Sequence, residues 1–140
     1  MATGVNSPIR VAIAGEEGII AARQAARELA KALGFRAIDQ SRITTAVSEL
    51  ARNVVRYATE RSGEVMLRPL GAHEGGAGIE IVVRDNGPGI ADVGLALQEG
   101  YTSGRGLGMG LPGTRRLMDE MAIDSGPGRG TTVTIRKRLR

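Results

Sequence analysis

Two amphipathic helical stretches lie back to back near the start of this 140-residue chain, and the strands that follow them come in pairs. Ala22, Ala26, Leu29 and Leu33 recur at i, i+4, i+7 and i+11 within Glu16–Leu33, one stripe of a helix that Gly34 ends. Ile43, Ala46, Val47, Leu50 and Val54 form a second stripe, on a helix that opens at Asp39 as N-cap and runs to about Ala58. A first strand precedes both, over Ile9–Ala14. Val65–Leu70 and Ile79–Arg84 flank a loop with Gly75-Gly76 at its middle. Met121–Ser125 and Thr131–Arg136 flank the turn Gly126-Pro-Gly-Arg-Gly130. Between these pairs a short helix is expected over Asp92–Gln98. A longer one is expected from about Leu107–Gly110 to Glu120, with Pro112 tolerated in its first turn. Paired strands mean hairpins, not a βαβ repeat. The pattern predicts one domain over residues 1–140, an α+β fold built as a two-layer sandwich. Its mixed, mainly antiparallel sheet is covered on one face by helices.

With aromatics at 2% and no cysteine, the core must be aliphatic, and neither disulfides nor thiol chemistry is available. Met1–Arg10 lacks the charged-then-apolar pattern of a secretory signal, and no apolar run reaches bilayer length. The expected setting is the cytoplasm, away from membranes. Net charge is +4, with Arg136, Lys137, Arg138 and Arg140 gathered at the end, where a solvated strand and tail is expected. Phe35, Tyr57 and Tyr101 are the only aromatics, so the stacking partners of a nucleic-acid surface are missing and no nucleic-acid partner is expected.

Three segments carry chemistry. Glu49 and Asn53 stand four apart on the second helix and project from one face, beside the apolar stripe. The amide oxygen could ligate Mg²⁺ while the carboxylate orients or deprotonates a nucleophile. Asp85-Asn-Gly87-Pro-Gly89 places an acid at a strand end on a glycine turn, where it can accept a hydrogen bond from the amine of adenine. Gly104, Arg105, Gly106, Leu107, Gly108, Met109 and Gly110 then lead into a helix. Alternate positions without side chains let backbone amides face an anion, and Arg105 could pair with a terminal phosphate. Taken singly, the three also fit a solvated helix face, a surface turn and a linker. Gly108-Met-Gly110-Leu-Pro-Gly113 matches a dinucleotide fingerprint, but no βαβ unit surrounds it. His73, the only histidine, falls in a glycine loop and reads as a solvated surface residue.

Together and in this order, the segments resemble the GHKL (Bergerat-fold) superfamily of gyrase, Hsp-type chaperones, histidine kinases and MutL. Glu49–Ala58 is similar to its N-box, Asp85–Gly89 to its first glycine box, Gly104–Leu111 to its second, and Gly130-Thr131-Thr132 to its last. Ala21-Ala-Arg-Gln24, Asp39-Gln-Ser-Arg-Ile-Thr-Thr45, Ser48-Glu-Leu-Ala-Arg-Asn53 and Arg116-Leu-Met-Asp-Glu120 resemble the small bacterial anti-sigma-factor serine/threonine kinases, the stressosome kind above all. That resemblance implies ATP and Mg²⁺ as cofactors. Asn53 would be the metal ligand, and Glu49 the general base for a protein serine or threonine. Asp85 would read adenine, with Thr132 nearby through water. Gly87, Gly89 and the segment Gly104–Gly110 would contact the nucleotide. It also implies STAS-domain scaffold and antagonist proteins as substrates, and a PP2C-type phosphatase activated after release. An anti-sigma factor that sequesters a sigma factor and an ATP-binding scaffold switch stand as alternatives.

Overall fold

The computed structural model describes residues 8–57, 62–86, 111–126, 128 and 130–140. Strand β1 (Ile9–Ile13) leads into helices α1 (Glu16–Ala32) and α2 (Ala37–Tyr57). Strands β2 (Gly63–Leu70) and β3 (Gly78–Asp85) follow, joined by a single 3₁₀ turn over Ala72–Glu74. Helix α3 (Leu111–Leu117) and strands β4 (Glu120–Ser125) and β5 (Thr131–Arg138) complete the described chain. The five strands form one sheet in the order β1-β2-β3-β5-β4. All four pairings are antiparallel, so among the described residues the sheet has no parallel component.

Alternation along each strand sorts the residues by face. Val65, Leu67, Ile79, Ile81, Val83, Val133 and Ile135 are buried on the side that meets the helices. Against them lie Ala22, Ala26 and Leu29 of α1 and Ile43, Val47, Leu50 and Val54 of α2. The predicted stripes are therefore the packed ones, and the core is aliphatic except for buried Phe35 at the α1–α2 turn. That turn closes as the sequence indicates: the Gly34 N–H donates to Lys31 O at 3.1 Å and the Phe35 N–H to Ala30 O at 3.0 Å.

The expected N-cap at Asp39 is corrected. The helix begins two residues earlier, at Ala37, and Asp39 lies in its first turn, paired with Arg36 and Arg42. An acid in a first turn favours the helix through the dipole without capping it. The last helix is shorter than expected, because Glu120 already belongs to β4. Pro112 is tolerated at its second residue. The short helix expected over Asp92–Gln98 lies outside the described residues.

The basic end of the chain is not a solvated tail. Strand β5 runs to Arg138, and its cations are paired. Arg136 donates from Nε to Glu80 at 2.8 Å. Lys137 is buried and its Nζ donates to Leu117 O at 2.9 Å, holding the end of α3. Arg138 donates to Glu74 O, to Gly76 O and to the Glu120 carboxylate, tying the β2–β3 loop to β4. On the sheet face away from the helices, Arg68, Glu80, Arg136 and Glu120 sit opposite one another across four strands. Burial pushes the Glu80 carboxyl up, but hydrogen bonds from Arg68 and Arg136 outweigh that and hold it below the ordinary range.

One close approach sets the position of α2. Gly63 opens β2 opposite Asp85, and a Cβ there would lie 2.7 Å from Val54 Cγ1. Only a residue without a side chain lets this part of α2 press onto the sheet at the end where β3 finishes.

Candidate functional site

Three elements converge at that end of the sheet. Asp85 is the last residue of β3 and has the same parity as Val83 and Ile81, so it belongs to the helix side. Its Oδ1 accepts the Thr131 N–H at 3.2 Å, which fixes the carboxylate at the mouth of β5. Gly130 lies directly above, with φ +74°. A Cβ on Gly130 would clash with the Asp85 carbonyl oxygen and would lie 3.2 Å from its carbon and 3.3 Å from Asn86 Cα. Ser125 Oγ donates to Gly130 O at 3.0 Å and shares a 2.8 Å contact with Thr131 Oγ1, so the β4–β5 turn is locked to the same point. Asp85 is thus held by its place at the end of β3 and by the Thr131 backbone of β5.

Asn53 comes to this end on α2. It is half-buried and immediately precedes Val54, the residue seated on Gly63, which itself pairs with Asp85. Helix α3 packs on α2, with Leu111 2% exposed. In the sequence the glycine segment ends immediately before Leu111. Gly87, Gly89, Gly104, Arg105, Gly106, Leu107, Gly108, Met109 and Gly110 themselves lie outside the described residues.

The family resemblance implies Thr132 near Asp85. The register pairs Thr132 with Arg84 and Asp124, on the face turned away from the helices, and brings Thr131 to Asp85 instead. Two consecutive threonines point to opposite faces of a strand, and only the register tells which one meets the acid. Thr131 and Ser125 are the residues missed. The Gly130-Thr131 step carried the signal, since the residue after a turn glycine begins the ladder.

Glu49 is one helical turn before Asn53 and is partly exposed, its side chain at 39%. Its Oε1 accepts from Arg52 Nη1 at 2.9 Å. Glu49 and Arg52 line a groove of about 350 Å³ between the two long helices, with Arg23 and Arg27 on the α1 side and Ser41 and Thr45 on the α2 side. His73 is exposed, as expected, with Glu74 4.0 Å away. No helix among the described residues is long and apolar enough to cross a membrane.

Residues 14–137 match the family model of the histidine kinase-like ATPase domain. The chain belongs to the histidine kinase-like ATPase family. It is 45% identical over 136 residues to the serine/threonine-protein kinase RsbT of Bacillus subtilis, spanning 97% of this chain and all of that relative. An anti-sigma F factor of Pasteuria penetrans is 36% identical over 100 residues, covering 69% of this chain and 67% of its own. Among solved structures, the RsbU and RsbW domains of Rv1364c from Mycobacterium tuberculosis superpose with a TM-score of 0.65 at 25% identity, over 96% of this chain and 32% of that one. The two-layer α+β arrangement expected from the sequence is therefore the GHKL-type ATPase fold that this family carries.

Proposed function

We propose that this protein is a cytoplasmic, single-domain, ATP-dependent serine/threonine kinase of bacterial stress signalling. The observation that carries the reading is the meeting of Asp85, fixed by the Thr131 N–H, with the Asn53 end of α2 across Gly63. The full-length likeness to a serine/threonine-protein kinase supports it.

In this reading Asp85 accepts from the adenine amine, and Thr131, rather than Thr132, completes that end of the site. Gly87, Gly89 and the residues Gly104–Gly110 approach the base and phosphates with bare backbone, and Arg105 pairs with the terminal phosphate. Asn53 suits a magnesium ion because a hard cation takes oxygen donors and its half-buried amide stands at this end of α2. When bound, the ion neutralises developing charge on the transferred phosphoryl. Glu49, one turn away, takes the proton of the acceptor hydroxyl. Substrates are STAS-domain scaffold and antagonist proteins, and a PP2C-type phosphatase is the downstream partner.

The anti-sigma F likeness favours one alternative, in which the chain sequesters a sigma factor and phosphorylation is secondary. Incubation with labelled ATP, Mg²⁺ and a purified STAS-domain protein separates the two. Label on a serine or threonine of that partner, lost with Glu49→Gln while ATP still binds, is the expected result. Full-rate transfer by E49Q would remove Glu49 as base. Binding of a sigma factor with no label transferred would favour the alternative.

A further inference from the structure

Neither nucleotide binding nor metal binding uses the Glu49–Arg52 ion pair. On a helix with about 100° between residues, Asn53 lies about 40° to one side of Glu49 and Arg52 about 60° to the other. Arg52 lines the groove between the helices, whereas Asn53 immediately precedes Val54, which is seated on Gly63 opposite Asp85. The 2.9 Å bond from Arg52 Nη1 therefore draws the Glu49 carboxylate toward the groove and away from the Asn53 side. Both partners are only one-third to two-fifths exposed, so the pair is formed at the groove wall, not out in bulk water.

We infer that Arg52 is a latch on the general base: it holds Glu49 turned into the groove until an acceptor protein arrives. The inference rests on the kinase reading above and adds a control to it. A base that always stood over the phosphates would activate water as readily as a protein hydroxyl and would waste ATP. With the latch closed, Glu49 Oε1 is occupied and its carboxylate is aimed elsewhere. Opening the latch lets the acceptor oxygen bond to the γ-phosphorus while its proton passes to Glu49. The bond to the bridging oxygen breaks, with its electron pair leaving on ADP. The groove supplies a means of opening. Arg23, Arg27 and Arg52 bring three guanidinium groups to the groove that Glu49 also lines, and neither Arg23 nor Arg27 has an ion-pair partner among the described residues. A carboxylate brought in beside the acceptor hydroxyl has cations to bind and competes directly for Arg52.

Arg52 is thus a positioning residue, and its removal separates a latch from a merely structural role. The test is hydrolysis of ATP to water by the full chain with Mg²⁺ and no acceptor, alongside binding of a fluorescent ATP analogue. Arg52→Gln is expected to raise the hydrolysis rate about two- to fivefold, the upper part of the range that a surface ion pair withholds, with analogue affinity unchanged. Arg52→Lys, which keeps a charge but not the fork, should fall between the two, and the R52Q/E49Q double variant should drop to the E49Q rate. Hydrolysis by R52Q at or below the wild-type rate, with the analogue still bound, overturns the latch alone. A wild-type chain that binds no analogue overturns the nucleotide reading itself, and the latch with it.

Discussion

Replacing Gly130 with alanine should damage stability and nucleotide binding together, because one backbone point serves both. Gly130 has φ +74°, a conformation that costs an L-residue about 1–2 kcal/mol. Its added Cβ would also clash with the Asp85 carbonyl oxygen and sit 3.2 Å from the carbonyl carbon. Neither atom belongs to a flexible side chain, so the end of β3 must move. Overpacking of this kind adds about 1–3 kcal/mol. The sum is about 2–5 kcal/mol, and at about 3 °C per kcal/mol for a chain of this size the melting temperature should fall by about 6–15 °C. Gly128 supplies the comparison. It has φ +77° but nothing within 4 Å of a Cβ, so G128A carries the conformational cost without the clash. Calorimetry on both variants isolates the clash as their difference. Displacing Asp85 should also weaken ATP binding by about tenfold, the worth of one hydrogen bond to a charged group. If G130A melts no lower than G128A and binds nucleotide as the wild type does, the packing of the β4–β5 turn on Asp85 does not position the acid.

Two further substitutions test the fold around the site. Thr114, buried in α3, has a hydroxyl with no hydrogen-bond partner among the described residues, so the near-isosteric Thr114→Val should raise stability by about 1 kcal/mol in urea unfolding. Glu80→Gln removes the charge between Arg68 and Arg136 and should cost about 2 kcal/mol, the low end for bonds to charged groups because both arginines are partly exposed. The pH dependence has a definite sign. Glu80 and Asp119 both titrate below their ordinary ranges in the folded state: burial raises each, but bonds from Arg68 and Arg136 to Glu80, and from the Arg138 N–H and Arg140 to Asp119, more than reverse it. Their stabilisation is full above the ordinary carboxylate range near pH 4 and is lost as pH falls through the lower folded values. Stability of E80Q should accordingly decline less steeply than wild type below about pH 4.

The helices and hairpins were legible because each writes its period into the chain: Ala22 to Leu29 and Ile43 to Val54 repeat at helical spacing, and glycines punctuate the strand pairs. That Glu49 and Asn53 lie one turn apart on a single helix was legible for the same reason, since spacing on a helix fixes which side chains are neighbours. What a single chain hides is register. Whether Thr131 or Thr132 meets Asp85 depends on how β5 slides along β3, and a shift of one residue exchanges them. The paired basic end was hidden too. Arg136, Lys137 and Arg138 read as a solvated strand and tail until Glu80, Leu117 and Glu120, each 18 or more residues away from its partner in sequence, are brought beside them. Asp39 misled for a local reason, because an acid in a first turn and an acid at an N-cap look alike in sequence while tertiary packing decides where the helix starts.

The central claim is that nucleotide binds where Asn53 on α2 meets Asp85 at the end of β3. An amide-resolved NMR titration with Mg²⁺ and ATP reads this position directly. Saturable shifts should concentrate on Asn53, Val54, Asp85, Asn86 and Thr131 and leave Arg68, Glu80 and Arg136 on the opposite sheet face unchanged. Shifts confined to that opposite face, or none at saturating ATP, would contradict it.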